Sequence, residues 1–139
     1  MKKLARKFVV QHHIAEQAGP HDDLRLELNP GKLASWAVPK GVPRTSGKKV
    51  LAIETEPHSM QWLHFSGTIK EGYGKGKMTI VDSGTMNIIK KGRHSIIVEL
   101  NGRRGKIKGR YVLVQPPSLQ KQNKKSKQKK WLLWKSKQS

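Results

Sequence analysis

The chain has 139 residues, with 29 Lys plus Arg against 9 Asp plus Glu and a formal charge of +20. That length admits one compact domain, and the charge excludes a neutral or acidic soluble module and makes a polyanionic partner the default expectation. The absence of cysteine removes disulfides, thiolate metal sites and a cysteine nucleophile, while no apolar run approaches the roughly 18 residues of a membrane span.

The apolar pattern predicts strands almost throughout. Short β-branched-rich runs lie at Phe8-Val9-Val10, Leu33 to Val38, Val50 to Ile53, Met78 to Val81, Ile96 to Val98 and Tyr111 to Val114. Turn signals punctuate them at Asn29-Pro30-Gly31, Asp82-Ser83-Gly84, Lys91-Gly92 and Asn101-Gly102. The last is a type I′ hairpin signal. No segment holds a 3.6-residue period, so the expected fold is all-β: a small closed or partly closed antiparallel β-barrel with little helix. Residues 116–130 turn to Lys, Gln, Ser and Asn and are expected to form a mobile lysine-rich loop. Trp131-Leu132-Leu133-Trp134 then returns to apolar, predicting a final strand over 131–135 that docks on a single domain spanning 1–139.

The chemistry concentrates in His21-Asp22-Asp23-Leu24-Arg25-Leu26-Glu27-Leu28. On a strand, alternation places Leu24, Leu26 and Leu28 on a core face with Asp22, and His21, Asp23, Arg25 and Glu27 on the other. A solvated stripe of salt bridges would read the same way. His13, on the preceding strand or loop, adds a second imidazole, and two imidazoles with a carboxylate suffice to hold a divalent transition metal with open positions. His58 stands in the turn-like Glu56-Pro57-His58. His12 is expected to be structural, His64 and His94 to sit on exposed strand ends, Trp36 to be core, and Gly72-Tyr73-Gly74-Lys75-Gly76 to be a hairpin and no phosphate loop.

Phe8-Val9-Val10-Gln11-His12-His13, His21 to Glu27 and Trp36-Ala37-Val38-Pro39-Lys40-Gly41 together resemble the 3′-phosphoesterase module of bacterial end-joining DNA ligases. Phe65 to Ile69, Glu71 to Gly74, Gly109 to Val114 and Trp131 to Leu133 extend the resemblance over nearly the whole chain. It implies a β-barrel enzyme that heals 3′ ends, removing a terminal ribonucleoside and then a 3′ phosphate to leave a ligatable hydroxyl. The implied metal ligands are His13, His21 and Asp23, holding one divalent ion: Mn2+ first, with Co2+ or Zn2+ as alternatives. Arg25 and His58 would meet the scissile phosphate, with Gln11, Glu27 and Lys40 in support.

Three departures from the family pattern stand out. Ala18-Gly19-Pro20 suggests an enlarged loop between His13 and His21. A tyrosine of the family is Trp62 here, offering a stacking face or simple packing on Phe65. An expected arginine falls at Val50, leaving Lys49 as the nearest substrate-binding cation. The implied partners are DNA or RNA 3′ ends, as primer-template or duplex, and a DNA ligase acting in trans, in the cytoplasm and away from any membrane. Two other classes fit parts of the sequence. A mononuclear Fe(II) oxygenase would use His21 and Asp23 with His58 or His94, and a non-catalytic nucleic-acid-binding barrel would use the lysines and aromatics alone.

Overall fold

A computed structural model of the chain describes residues 5–137. Nine strands follow in order: β1 (Arg6–Ala15), β2 (Gly19–Asn29), β3 (Lys32–Val38), β4 (Val50–Ser59), β5 (Gly67–Ile69), β6 (Gly76–Lys91), β7 (Ser95–Gly102), β8 (Lys108–Val114) and β9 (Lys130–Lys135). A 3₁₀ turn, Met60–His64, lies between β4 and β5, and one helix, α1 (Pro117–Asn123), lies between β8 and β9. Neighbours run β1-β2-β3-β4-β9-β8-β7-β6, and β6 pairs back onto β1, so eight antiparallel strands close into a barrel. The short β5 pairs with the first residues of β6 outside that ring.

Closure follows from alternation. Phe8 and Val10 on β1, Leu24, Leu26 and Leu28 on β2, and Trp36 and Val38 on β3 point into one buried cluster with Val98, Leu100, Tyr111, Leu113 and Leu133. Side chains fill the lumen, as eight strands allow. Trp36 and Trp131 meet edge to face at 6.0 Å across it, an arrangement favoured by the ring quadrupoles. The opposite face of β1 and β3 buries a second cluster, Val9, Leu33 and Leu63, with Met60, Trp62 and Ile80 packed against it. The 3₁₀ turn therefore sits as a cover on the outer wall of the barrel.

Several expected turns resolve differently. Asn29-Pro30-Gly31 and Lys91-Gly92 do connect strands, whereas Asp82-Ser83-Gly84 lies within the continuous β6. Asp82 is fully buried, and its carboxylate accepts the amides of Ser83, Arg104, Lys106 and Ile107 at 2.9 Å each, tying down the β7–β8 connection. Asn101-Gly102 is not a type I′ turn either. Glycine is required at 102 because a Cβ there would lie 2.0 Å from Asp82 Oδ2. The segment 116–130, expected as loop, begins with α1, whose Pro117 suits the first helical turn; seven residues are too few to show a period. Within 131–135, β9 pairs with both β4 and β8.

Burial pushes the Asp82 carboxyl up, but its four amide partners outweigh this and hold it below its ordinary value of 3.8. Its stabilisation is therefore complete above that value and is lost as pH falls through the lowered folded-state pKa. Asp82→Asn turns an amide nitrogen against N–H groups and is expected to cost about 2–3 kcal/mol in denaturant melts at neutral pH. The gap from the parent chain should narrow as the melts are taken to lower pH.

Candidate active site

The β1–β2 register sets His13 opposite His21, Gln11 opposite Asp23 and Val9 opposite Arg25. All of these point to the outer wall. The face is not the solvated stripe that the alternation equally allowed: Asp23 and Arg25 are buried, at 7 and 3 % exposure. His13 Nε2–H donates to the Gly74 carbonyl at 2.7 Å, which turns Nδ1 towards Asp23 Oδ2 at 3.3 Å. His21 Nδ1–H donates to the Gly19 carbonyl at 3.0 Å, which turns Nε2 towards Asp23 Oδ1 at 3.2 Å.

One ligand atom from each of His13, His21 and Asp23 lies within 4.8 Å of the others. The carboxylate's hydrogen bond raises the His21 pKa against the pull of desolvation. Asp23 is held low: burial would raise it, but the His21 hydrogen bond and the charges of Arg25 and the two imidazoles win. Two imidazoles oriented by backbone carbonyls towards one carboxylate are the donor set of a divalent metal with its tautomers fixed. A metal site of this kind fits.

Arg25 lies beneath the cover. Its Nε donates to Gln11 Oε1 at 2.8 Å, one Nη to Ser35 Oγ at 3.0 Å, and the other reaches Asp23 Oδ2 at 3.5 Å. Three of five N–H donors are engaged, which leaves two for an oxyanion. Gln11, itself fully buried, donates through Nε2 to the carbonyls of Trp62 at 2.8 Å and Phe65 at 3.0 Å. One amide thus joins the cover to the arginine. The Trp62 ring carries the Arg25 guanidinium at 5.1 Å, the His58 edge at 5.3 Å and Phe65 at 4.9 Å. It lines the cleft with its ring packed against these three side chains.

His58 lies on β4, not in a turn, opposite Leu33. Desolvation and the Arg25 charge lower its pKa, outweighing the smaller upward pull of the Glu56 backbone and the two carboxylates. Its Nδ1 is buried without a hydrogen bond of good geometry. These groups line a cleft of about 530 Å³.

Some expected residues fall elsewhere. Glu27 accepts the amides of Lys7 and Gly31, both at 3.0 Å, and holds the β2–β3 turn. Lys40 lines a separate cleft with His12 and Asp22, whose side chains are hydrogen-bonded to each other at 3.0 Å. Lys49 stacks on Trp134 at 4.9 Å, outside the cleft. His94 lies at one end of the barrel, and His64 belongs to the 3₁₀ turn. Ala18-Gly19-Pro20 is no enlarged loop: Ala15 pairs with Gly19, and Gly19 takes the positive φ of 77° that the tight connection needs.

The cleft also contains Thr55 and Gln128, not singled out from sequence, and Tyr73 and Gly74, noted there only as part of a hairpin and of the family resemblance. Ser35 was legible in principle. A hairpin through Asn29-Pro30-Gly31 sets it opposite Arg25.

The profile of the DNA ligase D 3′-phosphoesterase domain matches residues 11–115. The chain belongs to that family. It is 46 % identical over 112 residues to the multifunctional non-homologous end joining DNA repair protein LigD of Mycobacterium tuberculosis, covering 77 % of this chain and 14 % of that protein. The Mycolicibacterium smegmatis LigD is 42 % identical over 121 residues, covering 78 % and 15 %, and the Pseudomonas aeruginosa LigD 34 % over 137 residues, covering 94 % and 15 %. The chain thus spans about one seventh of the length of these relatives. The membership sets the chain among the hydrolases of phosphate esters. Among the described residues no helix is long and apolar enough to cross a membrane.

Gln11→Ala releases Arg25 and the cover together and is expected to lower single-turnover hydrolysis of a 3′-phosphorylated oligonucleotide by about 100-fold, the scale of a 1 Å misplacement. Ser35→Ala removes one anchor and should cost less. Thermal melts alongside the assay separate misplacement from unfolding.

Proposed function

We propose that this domain removes a terminal 3′ ribonucleoside, and then the remaining 3′ phosphate, from nucleic acid to leave a 3′ hydroxyl. The observation that carries the reading is the juxtaposition, in one cleft, of a divalent-metal donor set and a buried arginine with two free donors. A divalent ion held by His13, His21 and Asp23, with Mn2+ first in order and Co2+ or Zn2+ as alternatives, would supply Lewis-acid polarisation of a phosphate oxygen. The family membership supports the same reading.

The chain's own residues do the rest. Arg25 binds two non-bridging phosphate oxygens through its forked donors, and its fixed guanidinium needs no reorganisation as charge builds there. Trp62 and Gln11 keep it in place. His58 enters as a neutral imidazole, because burial and Arg25 disfavour its cation. It is therefore suited to hold a proton taken from the attacking water, whose oxygen bonds to phosphorus as the ester oxygen departs and takes its proton from solvent. No cysteine is present to serve as a protein nucleophile.

Glu27, Lys40 and Lys49, by their positions, act on stability or on distant phosphates and not on the reacting group. The charge of +20 makes binding salt-dependent and sequence-tolerant, since lysines contact phosphates. In the cell a DNA ligase acting in trans would consume the healed end, whether in a duplex or a primer-template.

The test uses labelled oligonucleotides ending in a ribonucleotide or in a 3′ phosphate, with and without chelator, then with Mn2+, Co2+ or Zn2+ restored. Hydrolysis should stop with chelator and return with metal, and His21→Ala and Asp23→Ala should remove it; turnover persisting in chelator would refute the reading. The acid limb of kcat/KM should fall below 6.5, the ordinary imidazole value, as His58 gains its proton. That limb should vanish in His58→Ala. An acid limb unchanged in that variant would remove His58 from the proton path.

A further inference from the structure

The catalytic cleft lies on the outer wall, but a second cleft of about 660 Å³ opens into the barrel at the end where β2 finishes and β7 begins. Its floor is the end of the core: Trp36, Ile96 and Trp131. Trp131 Nε1–H donates to Glu54 Oε1 at 2.9 Å, which occupies the cleft's carboxylate. Trp36 is 2 % exposed and its Nε1–H is buried with no acceptor. A buried N–H without an acceptor is a rare and costly state, so this donor is the feature a ligand would answer. The buried Gln115 amide lines the same wall, and Arg93, Lys124 and Lys129 line the cleft as exposed cations. A lone donor at the end of an apolar floor and a cationic rim match a heterocycle with a carbonyl or ring-nitrogen acceptor, joined to phosphate.

The two clefts are linked. Glu54 and Thr55 are successive residues of β4 and face the barrel mouth and the catalytic cleft respectively. Lys124 and Lys129 line the mouth, while Gln128, from the same loop, lines the catalytic cleft. The lysine-rich segment is thus a bridge between them.

We propose that the barrel mouth is a second nucleotide-binding cleft. It receives an unpaired base of the same polynucleotide whose 3′ end occupies the catalytic cleft, with the intervening phosphates carried on the lysines of 124–129. The catalytic part of this statement rests on the proposed function; the mouth itself does not.

The experiment uses a single-stranded oligonucleotide with a 3′ phosphate and 5-iodouracil placed at successive upstream positions. Photocrosslinks are mapped by mass spectrometry. Affinity is measured by anisotropy for the parent chain, Trp36→Phe and the double variant Lys124→Gln/Lys129→Gln. Crosslinks should fall on peptides bearing Trp36, His94 or Trp131 at one defined upstream position. Trp36→Phe keeps an aromatic ring of smaller area and deletes the donor, and should weaken binding about five-fold, with thermal melts recording what the smaller ring costs the core. The lysine pair should lower the slope of log affinity against log salt by about one. Both variants should keep the parent's single-turnover rate at saturating oligonucleotide.

Crosslinks absent from the mouth, with affinity unchanged in both variants, would overturn the proposal. Adenosine monophosphate displacing the oligonucleotide's base from the mouth at equal affinity would also overturn it, in favour of a free-nucleotide site. Mouth crosslinks on a chain that hydrolyses neither 3′ end would leave the cleft standing and refute the proposed reaction alone.

Discussion

One carboxylate, Asp23, organises the outer wall. It is nearly buried and faces two imidazole nitrogens at 3.3 and 3.2 Å and a guanidinium at 3.5 Å. A carboxylate so placed is tolerable only where positive or polar partners surround it. Each partner is fixed in turn by an uncharged group: His13 by the Gly74 carbonyl, His21 by the Gly19 carbonyl, Arg25 by Gln11 and Ser35. The supports come from β1, the first residue of β2, β3 and the β5–β6 hairpin, so the site is a property of the closed barrel and not of one motif.

The barrel's own packing explains why the site is outside. Tryptophans, leucines and valines fill the lumen, and polar groups are confined to its ends and to Asp82. A polar constellation on β1 and β2 had to use the other face, which would then lie open to water. The small cluster of Val9, Leu33 and Leu63 solves this by seating the 3₁₀ turn over the wall, and Gln11 ties that turn to Arg25. Cover and chemistry are therefore mechanically coupled, and exclusion of water strengthens every charge contact within.

Period-two patterning made much of this legible. The separation of Leu24, Leu26 and Leu28 from His21, Asp23 and Arg25 followed from the strand geometry alone, as did the all-β class. The rule gave Glu27 its face as well, since Leu26 and Leu28 both enter the core, but not its partners, the amides of Lys7 and Gly31. Lys40 and Lys49 follow strand exits and connections, where alternation no longer dictates direction. Asp82-Ser83-Gly84 carried turn composition for another reason: the carboxylate anchors four amides, and small residues beside it let strands approach. Tyr73, Gln128 and the second cleft depend on which loops meet across the barrel, and local sequence holds no trace of that.

The proposed reaction depends most on Asp23 as the carboxylate of a metal site. Calorimetric titration of Mn2+ into the parent chain and into Asp23→Asn addresses it without reference to turnover. One ion per chain should bind the parent, and the near-isosteric amide should weaken it by about 100-fold or more, at or beyond the upper end of what outer-shell changes cost. Binding of equal stoichiometry and affinity in Asp23→Asn would contradict the account.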